Sequence, residues 1–422
     1  MEDQEIEDIE DAIKNPPSKE VRPVSFAPTG SFLMDLAVGG GVGKGYPFGR
    51  IINIVGDKSS GKSFASCEII AACYHKYGIK NLKWVYDDCE SGFSFNTEKL
   101  YGFEIMPQEE DKRVKSNTVE DAYINVRSFA ESLKKNQYGI YVIDSLDGLK
   151  SREANKRADE GYKKAMDAKK GKTSKGKEAG TFGLEKPKYL SGVFFPQLAG
   201  LLKDTNCLLI IISQVRQNID PMSFEKYVRA GGKAMDFFCQ SVVWLANINK
   251  IKIKDRAVGI TVKAKTTKSK TPRPYREWFF ELRFDYGLDD ISTCTDFLFD
   301  FRADKGEIVK NASASWAGQE LELNLENLKL LLQQFGQEEF YRANVRPKLK
   351  KSEVIDWIET EAPPELTEAY NKLFNDKMER GDLINYIDSN GLVEELHKRV
   401  EDKWEAIEAS IATKRKPKYS ET

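Results

Sequence analysis

Short apolar runs alternate with amphipathic stretches from about residue 25 to 300. The runs are RIINIV (50–55), LKWVYD (82–87), GIYVID (139–144), CLLIIIS (207–213) and SVVWLANI (241–248). Each is rich in β-branched or aromatic residues and is followed by a polar or glycine-containing turn, which predicts strands. Between them, EDAYINVRSFAESLKK (120–135) and YLSGVFFPQLAGLLKD (189–204) read as helices. Apolar strands alternating with helices predict an α/β fold whose mostly parallel central sheet is covered on both faces.

Two regions break this rhythm. Residues 150–188 carry thirteen Lys or Arg against six Asp or Glu, and the centre, KKGKTSKGKEAG, is rich in Gly, Ser and Lys. That composition predicts an exposed, mobile loop. After residue 303, LENLKLLLQQF, SEVIDWIETE, ELTEAYNKLFNDKME and LVEELHKRVEDKWEAIEASIA read as helices punctuated by EAPPE and DSNG. This stretch holds 24 acids and 18 bases, and it predicts a mainly helical C-terminal domain with a frayed tail. The expected organisation is an acidic N-terminal segment at 1–24, a core at 25–302 and the helical domain at 303–422.

Composition narrows the classes. The chain has 422 residues, 40% hydrophobic content and a net charge of -1, so charge alone points to no partner. Six cysteines without a CxxC pair and two histidines argue against a zinc or disulfide framework and for a reducing, cytoplasmic setting. Residues 2–11 carry seven acids and precede NPPS, unlike a signal peptide. They read as a solvated tail or as an anion that competes for a basic site on the same chain.

The chemistry begins at GDKSSGKS. Gly56, Asp57, Lys58, Ser59, Ser60, Gly61, Lys62 and Ser63, followed by Phe64, lie between a predicted strand and a predicted helix. That spacing and context fit a phosphate-cradling loop. Backbone N–H groups and the helix N-terminus would face the phosphates, Lys62 the β/γ-phosphates, and the Ser63 hydroxyl Mg2+. YVID ends in Asp144, suited to hold the Mg2+ shell. VYDDCE ends another strand in acids, and by residue chemistry Asp87, Asp88 and Glu90 are equal candidates to orient an attacking water. LLIIISQ ends in Ser213 and Gln214, polar groups at the sheet edge where ligands bind.

These four pieces, in this order, resemble the RecA family of homologous-recombination ATPases from about residue 25 to 300. PTGSFLMDLAVGGG and PFGRIINIVGDKSSGKS resemble the approach to that family's P-loop (Walker A), and VIDSLDGL its Walker B segment. DDCE resembles the segment ending in the family's catalytic glutamate, which selects Glu90. LLIIISQVRQNI resembles the strand whose glutamine couples nucleotide state to DNA binding, and Gly231-Gly232 stand at the family's spacing behind it. In VKAKTTKSKTPRPYREWFFEL, Lys268 and Lys270 match a Lys-x-Lys pair that reaches a neighbouring subunit's ATP. The residues alone would make KTTKSK a basic surface turn.

The resemblance implies a RecA-like P-loop ATPase core with a helical C-terminal domain. It implies a DNA-dependent ATP hydrolase using ATP and Mg2+ that forms helical filaments on single-stranded DNA. The expected activity is pairing with homologous duplex and strand exchange in recombination and repair, with a loader or single-strand-binding protein as further partners. Lys62, Glu90 and Gln214 would be catalytic. DNA would meet loops at about 151–188 and 215–232, through Lys169, Lys170, Lys172, Lys175, Lys177, Arg216, Gly231 and Gly232. Lysines suit sequence-independent binding because they release counterions from phosphates, and Tyr162, Phe224 or Tyr227 could contact bases. The chain departs from the family at Thr97, where an adenine-stacking tyrosine is expected and Phe93 or Phe95 would have to substitute. It departs again at Ser223, where the second loop has phenylalanine, with Phe224 one place on. Beyond NASASW the C-terminal region has no clear match, as in a phage-type or other divergent member. A ring-forming helicase or loader of the same fold, and an ATP-gated DNA-binding scaffold, are the alternatives.

Overall fold

The computed structural model describes residues 24–94, 96–170, 185–217, 227–229, 232–271, 273–316, 323–375 and 377–415. The acidic segment at 1–23, Phe95, Lys172, Lys175, Lys177, Ser223, Phe224 and Gly231 lie outside the described residues.

Among the described residues the main sheet has nine strands: β1 (Ile51–Gly56), β2 (Leu82–Asp88), β3 (Tyr138–Asp144), β4 (Cys207–Gln217), β5 (Tyr227–Arg229), β6 (Ser241–Ile253), β7 (Arg256–Ser269), β8 (Glu277–Arg283) and β9 (Gly287–Asp289). Their order is β9-β8-β7-β6-β1-β4-β3-β2, with β5 antiparallel on the far end of β4. β2, β3, β4, β1 and β6 run parallel, whereas β6 to β9 form an antiparallel half. The expected α/β core with a mostly parallel central sheet is therefore present.

The helices used below are α1 (Phe32–Gly39), α2 (Lys62–Tyr77), α3 (Val119–Glu131), α4 (Arg152–Lys169), α5 (Glu185–Tyr189), α6 (Phe195–Asp204), α7 (Gly232–Phe238), α8 (Asp290–Leu298), α9 (Leu325–Gln334), α10 (Lys351–Thr360), α11 (Pro364–Tyr370), α12 (Arg380–Ser389) and α13 (Val393–Ser410). The two-residue period of the strands divides their side chains between two cores. Ile52, Ile54, Ile140, Val142, Leu208 and Ile210 join one with α1 and α2. Ile51, Val55, Tyr141, Ile143, Leu209 and Ile211 join the other with α3 and α6. Each fully buried isoleucine contributes roughly 2 kcal/mol, and covering both faces explains why these strands read as unbroken apolar runs.

Three expectations change. The predicted loop at 150–188 is helical over Arg152–Lys169 and again from Glu185. Its Gly/Ser-rich centre misled the reading of its flank: ANKRADEGYKKAMDAK is rich in helix-forming Ala, Lys, Arg and Glu. Arg157 bridges Glu153 at 2.7 Å and Glu185 at 2.8 Å. The predicted turn KTTKSK is the end of the 14-residue strand β7. There Val262, Ala264 and Thr266 point inward, while Lys263 and Lys265 point outward, each 2.7 Å from Glu277 on β8.

Finally, the described residues beyond 303 do not pack as one unit. Leu328, Leu331, Tyr341, Val354, Trp357, Leu366 and Tyr370 form their own helical core. Leu383 and Ile387 of α12 and Leu396 and Val400 of α13 belong to the core of the sheet. Arg380 locks this return, donating from Nε to Asp296 at 2.5 Å and from Nη2 to Glu281 at 2.9 Å. A buried cluster of this kind costs several kcal/mol to break by removing one partner. No helix of the described residues is long and apolar enough to cross a membrane.

Candidate functional site

The parallel register brings the polar strand ends to one edge. Gly56 pairs with Gln214, and Asp88 with Asp144. Glu90 follows two residues beyond Asp88. At such an edge the strands stop and helix N-termini begin, so ligands find unpaired donors.

The loop after β1 is built to enclose phosphate oxygens. A Cβ at Gly56 would run into Ser60 Oγ and the Leu245 carbonyl, and Gly61 has φ +87° with Leu282 closing on it. Neither position tolerates a side chain. Ser60 Oγ is buried with no hydrogen-bond partner among the described residues. Lys62 Nζ donates to the Asp57 carbonyl at 2.7 Å, folded back over the loop at the start of α2. Burial lowers the Lys62 pKa, and the carboxylates of Asp144, Glu90, Asp57 and Asp147 act in the opposite direction. Asn247 Nδ2 pins the loop through the Ser59 carbonyl at 3.2 Å.

Behind the loop, Ser63 Oγ donates to Asp144 Oδ2 at 2.6 Å, and Tyr86 OH donates to the same oxygen at 2.5 Å. Burial raises the Asp144 pKa, and Glu90 and Asp88 push it further. A hydroxyl and a carboxylate at this spacing, among several acids with one lysine, are the oxygen donors that Mg2+ accepts. The residues therefore fit both a nucleotide's phosphates and a magnesium ion.

The three acids after β2 have separate fates. Asp87 is fully buried and accepts from Ser116 N at 2.8 Å, Ser116 Oγ at 2.5 Å and Tyr141 OH at 2.8 Å. Asp88 accepts from the amides of Gly92 and Phe93 and so shapes the turn. Glu90 faces the site: Oε1 accepts from Gln214 Nε2 at 2.7 Å and from Ser145 Oγ. From Gln214 the connection continues. Asp147, which the sequence reading did not single out, accepts from the Gln214 backbone N–H at 2.8 Å and from Arg216 Nη2 at 2.9 Å. Lys186 holds the same turn, donating to the carbonyls of Leu146 and Leu149, both at 2.6 Å. The signal for Asp147 was present in VIDSLDGL as an acid one turn beyond Asp144.

An apolar cleft of about 470 Å³ opens beside the loop, lined by Ser59 to Phe64 together with Ile260, Leu282 and Phe284. These last three come from β7, β8 and the residue after it, and sequence reasoning missed them. Such a wall suits a flat heteroaromatic ring. Thr97, by contrast, is buried and its Oγ1 accepts from the Ile105 amide at 3.0 Å. Phe93 packs on Tyr86, with ring centroids 4.6 Å apart.

Lys268 and Lys270 stand apart from this constellation. Lys268 pairs with Val242 at the amino end of β6, whereas the loop's Gly56 pairs with Leu245 further along. Lys268 Nζ donates to the carbonyls of Asp236 and, at 3.1 Å, Phe237, and Lys270 Nζ reaches the latter at 3.5 Å. Both thus cap the carboxyl end of α7, where cations are favoured. Among the DNA-binding candidates, Arg216 is exposed and paired with Asp147, Lys169 and Lys170 lie exposed at the end of α4, and Gly232 begins α7.

The family profile described as the RecA N-terminal domain matches residues 7–102 and 187–289. Protein RecA of Methylobacterium radiotolerans is 24% identical over 314 residues, covering 74% of this chain and 76% of that one. Protein RecA of Acinetobacter baumannii is 26% identical over 302 residues, covering 71% and 75%. Among solved structures, the RadB recombinase is 15% identical with a TM-score of 0.39, covering 59% of this chain and 93% of its own.

Proposed function

The chain belongs to the RecA family, and from that premise we propose that it is a DNA-dependent ATPase that assembles as a helical filament on single-stranded DNA and exchanges homologous strands. The observation that carries this reading is the unbroken hydrogen-bonded path from Glu90 through Gln214 and Asp147 to Arg216. It joins the carboxylate best placed to meet an attacking water to the first residues of the candidate DNA loop.

In this reading ATP lies with its phosphates over Gly56–Ser63 and its base in the cleft of Phe64, Ile260, Leu282 and Phe284. Lys62 neutralises the β/γ-phosphates. Ser63 and Asp144 would hold Mg2+, which supplies charge neutralisation at the phosphates. Glu90 accepts a proton as water attacks the γ-phosphorus, the bond to the β–γ bridging oxygen breaks, and ADP and phosphate leave. Gln214 exchanges its bond to Glu90 for one to the γ-phosphate. The strand beyond it, with Arg216 and residues up to Gly232, then favours the DNA-bound arrangement. This is a population shift driven by differential contacts to the γ-phosphate. In the filament Lys268 and Lys270 leave α7 and reach the ATP of a neighbouring protomer.

The test is ATPase rate with and without single-stranded DNA, with negative-stain images in ATP and in ADP. DNA-stimulated hydrolysis with open filaments in ATP is expected. Closed rings, or hydrolysis indifferent to DNA, would overturn the reading.

A further inference from the structure

A second constellation lies outside the nucleotide site, where α13 returns to the core. Asp290 and Cys294 stand one turn apart on α8, so both face the same way. α13 packs across that face and brings His397, 107 residues beyond Asp290 in sequence, into contact with it. One ligand atom from each residue, a carboxylate oxygen, the sulfur and an imidazole nitrogen, lies within 4.8 Å of the other two. His397 Nε2 is 2.8 Å from Asp290 Oδ2.

The surroundings fix each group. The Phe32 amide donates to Asp290 Oδ1 at 2.8 Å, leaving Oδ2 turned to the imidazole. The Phe32 ring stacks on His397, with centroids 4.2 Å apart and planes within 6°. The Cys294 side chain is fully buried, and the Leu33 amide is directed at its sulfur. A buried thiol ordinarily sits among apolar groups as a small hydrophobe. This one faces a carboxylate, an imidazole and an amide donor.

We propose that Asp290, Cys294 and His397 form a three-ligand site for a divalent cation of zinc's class, clamping α13 to the ATPase core. Mixed sulfur, nitrogen and oxygen donors favour Zn2+ over the harder Mg2+. Zinc's bond lengths set tetrahedral donor atoms roughly 3.4–3.6 Å apart. The sulfur must therefore close by roughly 1 Å and the imidazole and carboxylate, 2.8 Å apart, open by about half an ångström, within the reach of side-chain rotation. Asp290 and His397 are partly exposed, so water can complete a tetrahedron. Binding replaces the thiol proton with the metal and releases it to solvent. The Phe32 and Leu33 amides act as the outer shell that orients carboxylate and thiolate. Nearby, Lys403 of α13 donates to the carbonyls of Phe297 and Leu298 at 2.9 and 3.0 Å, so the clamp would reinforce an interface already formed.

The test uses the full chain, stripped with chelator and dialysed against Zn2+, then against Co2+. One tightly held Zn2+ per chain is expected, together with an intense near-ultraviolet thiolate-to-Co2+ absorption. Cys294→Ser should abolish that absorption, and His397→Gln should weaken Zn2+ affinity by more than about a hundredfold. Zn2+ should raise the unfolding midpoint of the wild type and of neither variant, with circular dichroism confirming that both variants fold. Sub-stoichiometric zinc, a Co2+ spectrum without the thiolate band, or equal Zn2+ affinity in wild type and Cys294→Ser would overturn the proposal.

Discussion

The sheet has two halves that meet at β6, parallel to β1 and antiparallel to β7, and they contribute differently to the site. The parallel half is largely apolar, Asn53 of β1 apart, and carries its candidate site at the carboxyl edge. There Lys62 folds back onto the phosphate loop, Ser63 bonds to Asp144, and Gln214 and Ser145 bond to Glu90. The antiparallel half carries charged side chains along one side, as Lys263, Lys265 and Glu277 show. It offers an apolar wall on one flank and Lys268 and Lys270 near the other end of the sheet. In the proposed reading, the parallel half breaks the phosphate bond, whereas the antiparallel half holds the base and reports to a neighbour.

The largest effect should come from the parallel half. Lys62→Ala is expected to lower kcat/KM for ATP by about a thousandfold, since a charge opposite the transferring phosphoryl group is lost. Steady-state hydrolysis measures it, and near-normal strand exchange in that variant would contradict the assignment. Glu90→Gln should cost about a hundredfold or more in kcat while leaving ATP affinity intact. Complexes with DNA should then outlive those of the wild type, read as a slower dissociation rate in excess ATP.

In the antiparallel half, Phe284→Ala should act on binding rather than chemistry. A loss of about 1 kcal/mol of stacking predicts a roughly fivefold higher KM with kcat little changed. An equal fall in kcat would erase the distinction between the halves.

Asp35, on α1 and outside the candidate site, serves as a control. Burial pushes its pKa up to about 7, opposed by hydrogen bonds from Thr29. The folded state therefore keeps a proton that the unfolded chain releases, and its stability should fall as pH rises from the ordinary carboxylate range through about 7. Asp35→Asn should flatten the dependence of the unfolding midpoint between those limits, without altering ATP hydrolysis. An unchanged slope would remove Asp35 as its source.

The parallel half was legible because its signals are local. A strand buried on both faces writes an unbroken apolar run, and a phosphate loop needs glycines at fixed spacing, so Gly56, Gly61, Lys62 and Asp144 stand out without a structure. Glu90 was one of three equal acids by chemistry; the family resemblance selected it, and in the structure the burial of Asp87 and the turn-forming bonds of Asp88 separate the three. The antiparallel half was harder because its strands alternate. KTTKSK resembles a turn until β6 and β8 are seen on either side of it. Ile260, Leu282 and Phe284 looked like ordinary sheet residues, since no local pattern marks one side of a strand as a cleft wall. The return of α12 and α13 to the core depends on Arg380 meeting Asp296 and Glu281, 84 and 99 residues away, which no window of sequence can display.

The central claim is that one protomer's loop and another's Lys268 and Lys270 share an ATP. Mixing Lys62→Ala protein with the double variant Lys268→Ala, Lys270→Ala tests it directly, because each supplies what the other lacks. In equal mixture on single-stranded DNA, roughly a quarter of the head-to-tail interfaces would pair an intact loop with intact lysines. The mixture is expected to regain hydrolysis to about that fraction of wild type. A rate no greater than the average of the two variants measured alone would contradict the account.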